Sequence, residues 1–195
     1  MRAAAMTRIA LMAALTAIGA QISIPLPFTP VPFTLQVPMV VLSGLLLGVR
    51  YGALSQVVYL LVGAVGVPVF AQFSGGIGVL AGPTGGYLVS YPFAAAIAGL
   101  AAGTVLGSPR RRAVVSGTAY GLLGLVAIYG LGATWLGVQA SLPPVAAITG
   151  GVLPFVPFDV VKVVIAALVA AAVAPQIAPL LDESRRKAGS GPRVR

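Results

Sequence analysis

The chain contains no histidine, no cysteine and only three acidic residues among its 195. Without His and Cys there is no Cys/His zinc site, no thiol nucleophile, no disulfide and no imidazole relay. An enzyme would lack the parts for general acid–base or metal chemistry, and neither a catalytic residue nor a cofactor is expected. Charge is scarce too: 8% of the residues are Asp, Glu, Lys or Arg, where a soluble domain carries about 25%. So few charges cannot cover a water-soluble globule. With 58% hydrophobic residues and a mean hydropathy of +1.03, the bulk of the chain belongs in lipid.

Apolar stretches of membrane-crossing length fall at about 7–24, 35–49, 52–67, 87–106, 113–138 and 157–174. A short helical piece is expected near 145–152, ahead of the last of them. The breaks carry Pro25, Pro27, Pro30 and Pro32, then Arg50, Pro68, the run Ser108 to Arg112, and Pro143, Pro144, Pro154 and Pro157. Proline removes a backbone donor and biases the residue before it away from helix. The expectation is an all-α integral membrane protein of six transmembrane helices in a single bundle. Residues 1–181 form that bundle, and 182–195 form a basic, flexible cytoplasmic tail. Strands are not expected, because lipid tolerates no open sheet edge and no barrel pattern is present.

The cations orient the bundle. With six spans and both termini cytoplasmic, Arg2, Arg8, Arg50, Arg110 to Arg112 and the five cations after 184 all lie inside, eleven of twelve. This is the positive-inside pattern. It accounts for the net charge of +9 through topology and an anionic leaflet, and leaves no role for nucleic acid. The first span shares features with a secretory signal, in Arg2, Arg8 and the small residues near Ala20. Removing it would split the cations across the membrane.

The twelfth cation is inside a span. Asp159 and Lys162, in Pro157-Phe158-Asp159-Val160-Val161-Lys162, share a helix face at a spacing of three. A charge in a span costs at least ~2.5–3.5 kcal/mol on insertion scales, so the pair needs a reason. Asp159 also sits in the first helical turn, where the dipole favours an anion. At 1.5 Å per residue Lys162 lies only ~8 Å below the start of its span, in the outer part of the membrane. Three readings stand: a ligand site, a structural bridge and a proton relay, the last poorly equipped with one carboxylate and no His.

Other stretches could share that depth. Residues 69–86, VFAQFSGGIGVLAGPTGG, form a long, uncharged connection with six glycines in its last twelve residues. Such connections are often lids or binding loops. No Gly-Lys-Ser/Thr follows, so ATP binding is not expected. The connection 25–36 carries Phe28, Phe33, Thr34 and Gln36, placed to line a cavity or to anchor at the interface. In the first span Ala10/Ala14 and Ala13/Ala17 are small-xxx-small pairs, suited to packing in the bundle or docking on a partner.

Several strings together resemble a known family. They are Gly19-Ala20-Gln21-Ile22-Ser23-Ile24-Pro25, Pro32-Phe33-Thr34-Leu35-Gln36, Gly66-Val67-Pro68-Val69-Phe70, Gly82-Pro83-Thr84-Gly85-Gly86-Tyr87-Leu88 and the Asp159/Lys162 segment. From about 9 to 174 the chain resembles the BioY family, the biotin-specific substrate-binding (S) component of energy-coupling factor (ECF) transporters. The resemblance implies a multi-pass protein of a prokaryotic cell membrane that captures biotin from outside. It further implies a transmembrane coupling protein and a pair of ABC ATPases as partners. Asp159 and Lys162 would face the ureido head group, with Gln36 and Phe33 nearby and Phe70, Gln72, Phe73, Ser74, Thr84 and Tyr87 in the lid. Ala10, Ala13, Ala14 and Ala17 would serve docking. Some relatives place a cation directly after the Tyr of the Gly-Pro-Thr-Gly-Gly-Tyr string; here it is Leu88, leaving Ser74, Thr84, loop amides or water for the biotin carboxylate. The alternatives are a proton-coupled carrier and an S component for another vitamin.

Overall fold

A computed structural model describes residues 3–189. Arg2 and the end of the expected basic tail, 190–195, lie outside the described residues. The described part is a bundle of helices with one short hairpin. Its elements are α1 (Ala3–Gln21), β1 (Ser23–Leu26), β2 (Thr29–Thr34), α2 (Gln36–Ala64), α3 (Ile77–Ala81), α4 (Gly85–Gly99), α5 (Ala102–Gly107), α6 (Arg110–Gln139), α7 (Pro144–Gly151) and α8 (Val156–Gly189). Four helical stretches are long and apolar enough to cross a membrane: α1, α2, α6 and Val156–Pro179 of α8. The last helix continues through 182–189, into the segment expected to be a flexible tail.

The two apolar stretches at 35–49 and 52–67 fall within α2, but α2 is not one straight rod. Gly48 adopts φ 79° and ψ 178°, a left-handed geometry that costs glycine nothing. The arms 36–47 and 49–64 turn back on each other. Gln36 bonds Tyr59, and Gln56 bonds Ser43, the ladder of contacts of an antiparallel pair. The turn comes two residues before the expected break at Arg50. Next in line, the stretch expected at 87–106 is divided into α4 and α5, and the short piece before the last span is α7.

The expectation of no strands is corrected. β1 and β2 pair antiparallel, Ser23 opposite Thr34, Ile24 opposite Phe33 and Leu26 opposite Thr29, with an irregularity between Ile24 and Leu26. That break falls at Pro25, which has no N–H for the ladder. The exclusion of strands holds for sheet edges within hydrocarbon; this hairpin caps the end of the bundle instead. The 65–84 connection and α7 gather at the same end, where Tyr87 reaches Gly151 and Trp135 reaches the carbonyl of Gly82.

Small residues let the helices close up. α2 packs on α1, α4 and α8, and α6 packs on α4 and α8. Ala94, Ala95, Ala98, Ala166, Ala167 and Ala170 are fully buried, the composition that close backbone approach in lipid requires. One tight crossing is α2 on α4, where a Cβ on Gly44 would run into the carbonyl oxygen of Ala95 and lie 2.8 Å from the backbone nitrogen of Gly99. We expect Gly44→Val to cost about 3 kcal/mol or more, lowering the thermal midpoint in detergent by ~6–12 °C. Gly130→Ala, where an added Cβ meets nothing within 4 Å, should leave it unchanged. Equal midpoints for the two variants would contradict this packing.

Candidate functional site

The first turns of α8 carry Asp159 and Lys162 inward, 5% and 8% exposed. Their spacing brings Lys162 Nζ to 2.8 Å from Asp159 Oδ1. The same ammonium donates to the backbone carbonyl of Thr34 at 2.7 Å and lies 3.5 Å from the Phe33 ring centroid. Its three N–H directions therefore meet a carboxylate, a carbonyl and an aromatic face, the last a cation–π contact. Phe33 is itself braced edge-on against Phe158, 5.4 Å between centroids. Asp159 receives a second bond on its other oxygen, from the Tyr129 hydroxyl of α6 at 2.8 Å. Each carboxylate oxygen retains acceptor capacity.

This pair is not sealed between helices. It borders a cavity of about 200 Å³ at the capped end of the bundle. Of the residues singled out from sequence, Gln36, Asp159 and Lys162 line it, as do Phe70, Gln72, Ser74, Thr84 and Tyr87. Phe33 instead supports Lys162 from outside the lining. Phe73 also lies outside the lining and is 71% exposed, although its neighbours on both sides contribute to the wall.

The strand β2 is tied to the helices by a relay of side chains. Thr34 Oγ1 donates to Gln36 Oε1 at 3.0 Å, Gln36 Nε2 to the Tyr59 hydroxyl at 2.7 Å, and Tyr59 to the Val69 carbonyl at 3.1 Å. Gln36 is 3% exposed and Tyr59 1%, so unmade bonds here would be costly. The relay couples the carbonyl that holds Lys162 to the 65–84 connection.

That connection is pinned from the other side by Gln21, at the end of α1. Its Nε2 donates to the Phe70 carbonyl at 3.1 Å, and its Oε1 accepts from the Phe73 N–H at 3.0 Å. Between them Gln72 and Phe73 take φ of 58° and 54°. Two successive non-glycine residues in the left-handed region are strained, and the Gln21 amide holds the segment there. The Phe70 ring packs edge-on against Tyr59, 5.5 Å between centroids. Further along, the Gln139 side chain donates to the Ala81 carbonyl at 2.7 Å.

Four contributors escaped the sequence reading. Tyr129 reads from the sequence as no more than a packing or interfacial residue, Tyr59 and Tyr91 carry no motif, and Gln21 stands out only within a motif string. Their signal was simple: an ion pair in a span needs further polar neighbours, and tyrosines and glutamines inside the apolar stretches are few enough to count.

A chain of this kind has known counterparts. The BioY family signature matches residues 1–179. The probable biotin transporter BioY of Pyrococcus horikoshii is 45% identical, over 86% of this chain and 94% of its own length. The biotin transporter BioY of Thermotoga maritima is 46% identical, over 80% of this chain and 86% of its own. A crystal structure of the S-component for biotin from an ECF-type ABC transporter superposes with a TM-score of 0.79 and 28% identity, covering 87% of this chain and 90% of that one.

The geometry carries a stability prediction. Lys162→Met leaves Asp159 buried without its counter-charge, at a cost of about 3–5 kcal/mol. The double variant Asp159→Leu/Lys162→Met should recover most of the loss in thermal midpoint. A single Lys162→Met variant as stable as the parent would contradict the buried pairing.

Proposed function

Because the chain belongs to the BioY family, we propose that it is the substrate-binding component of an ECF-type ABC importer and that the cavity receives biotin. It is a multi-pass membrane transporter subunit and catalyses no covalent chemistry. The observation that carries the site assignment is the buried Asp159–Lys162 pair bordering a cavity. A ureido ring offers two N–H donors and one carbonyl acceptor. Asp159, with a free lone pair on each oxygen, accepts the N–H groups. Lys162 neutralises the carboxylate and holds it in position. Phe70 and the apolar part of the wall suit the thiophane ring, and the carboxylate end is assigned to the Thr84 hydroxyl and to Ser74, whose hydroxyl would first give up its bond to the Ala71 carbonyl.

Six crossings follow if each arm of the α2 hairpin counts as one and α4–α5 as another. Gly48, Arg50 and the Arg110 to Arg112 run then lie at the end opposite the cavity. With cations marking the cytoplasmic side, both termini are inside and the cavity opens outward, in the plasma membrane of a prokaryote. Energy comes from a partner ATPase pair through a transmembrane coupling protein. The α1 helix offers that partner Ala10 and Ala14, which are exposed; Ala13 is buried and Ala17 packs against the core.

Two measurements follow. In a titration of purified protein against biotin and competing vitamins, Asp159→Asn and Lys162→Met should each weaken biotin binding about tenfold or more, the cost of leaving buried polar groups unmatched. Unaltered affinity in both would return the pair to a structural bridge. Replacing Ala10 and Ala14 with leucine should weaken assembly with the coupling module while biotin affinity stays as it was. Assembly that survives both changes would remove α1 as the docking face.

A further inference from the structure

Among the buried side chains that line the cavity, one donor has nothing to donate to. Tyr91, on α4, is 4% exposed and lines the cavity. Among the described residues its hydroxyl makes no hydrogen bond, yet it is not among the fully enclosed orphan atoms of the bundle. The hydroxyl is therefore open to the cavity itself. A buried phenol usually finds a partner, and here the only place for one is the void.

The other buried or half-buried donors beside Asp159 are committed, while Gln72 and Thr84 belong to the 65–84 connection at the lid side of the cavity. Tyr87 donates to the Gly151 carbonyl at 2.9 Å and Tyr129 to Asp159 at 2.8 Å. Lys162 has spent its three N–H directions on Asp159, Thr34 and the Phe33 face. Asp159 offers only acceptors. A ureido ring placed with its N–H groups on Asp159 would thus have an unmatched carbonyl oxygen, unless a further donor meets it.

We propose that Tyr91 is that donor: its hydroxyl bonds the ureido carbonyl oxygen of biotin and makes the site selective for a carbonyl at that position. The proposal rests on the biotin reading above. In this arrangement Asp159 and Tyr91 read the two sides of the head group, and Lys162 is a positioning residue acting through Asp159.

Three proteins and two ligands test it. Tyr91→Phe deletes an unpartnered hydroxyl, so the thermal midpoint without ligand should not fall. Tyr129→Phe removes a bond made in the empty protein, so its midpoint should fall. Biotin affinity should drop about tenfold in Tyr91→Phe, the loss of one buried hydrogen bond. With 2-iminobiotin, whose protonated guanidinium replaces the carbonyl acceptor by N–H donors, parent and Tyr91→Phe should bind within twofold of each other. An equal loss for both ligands, or no loss for biotin, would overturn the role of Tyr91 while leaving biotin as the ligand. A parent chain that does not bind biotin would overturn the ligand assignment and, with it, this role.

Discussion

A carboxylate and an ammonium taken out of water must find each other and then find more. In this bundle the pair is Asp159 and Lys162, 2.8 Å apart, and Thr34, Phe33 and Tyr129 are arranged around it. The Thr34 carbonyl and the Phe33 face take up the remaining Lys162 valences, and Tyr129 takes one from Asp159. Because desolvation of two ions can outweigh their mutual attraction, a pair kept at such a position is poor cement. It makes better sense as a wall of fixed charge, whose acceptor lone pairs face a ligand-sized void.

The pair also explains why the hairpin and the glycine-rich connection sit where they do. β2 must bring a backbone carbonyl to Lys162, and it does so at Thr34, two residues before the start of α2. Thr34, Gln36 and Tyr59 pass that constraint on to Val69, and Gln21 fixes the far side of the same loop at Phe70 and Phe73. The wall of the cavity is thus assembled from β2, α2, the 65–84 connection, α4, α6, α7 and α8, with α1 bracing the connection from behind through Gln21. Such side chain to backbone bonds hold a loop over a site without burying the loop in the core.

What could be seen in the sequence was what composition and short spacing dictate. Asp159 and Lys162 are the one acid–base pair within an apolar stretch, and a spacing of three places them together in any helix. Gln36, Phe70, Ser74, Thr84 and Tyr87 were grouped by position in the chain, and they meet at one cavity. Tertiary contacts decided the rest. The hairpin at 23–34 depends on where the ends of α1 and α2 bring two proline-rich segments. The turn at Gly48 depends on a backbone torsion, not on the charge at Arg50. Phe73 was grouped with the lid by adjacency, but the left-handed torsions at Gln72 and Phe73 carry its ring out of the wall. Tyr129 and Tyr91 have ordinary helical spacing; only the packing of α6 on α8 gives Tyr129 its partner, and only the place of α4 in the cavity wall gives Tyr91 a void.

Selectivity in such a site comes from matching each polar atom of the guest, since an unmatched buried group costs more than a matched one contributes. In the proposed reading the shape of the cavity, and the apolar rings around it, set what fits, and Asp159 sets how it is turned. A crystal structure of the chain grown with biotin tests this most directly. The account requires the ureido ring in the cavity with its N–H groups within hydrogen-bond distance of the Asp159 carboxylate. Biotin lodged with its ureido ring away from Asp159, or bound outside this cavity, would contradict it.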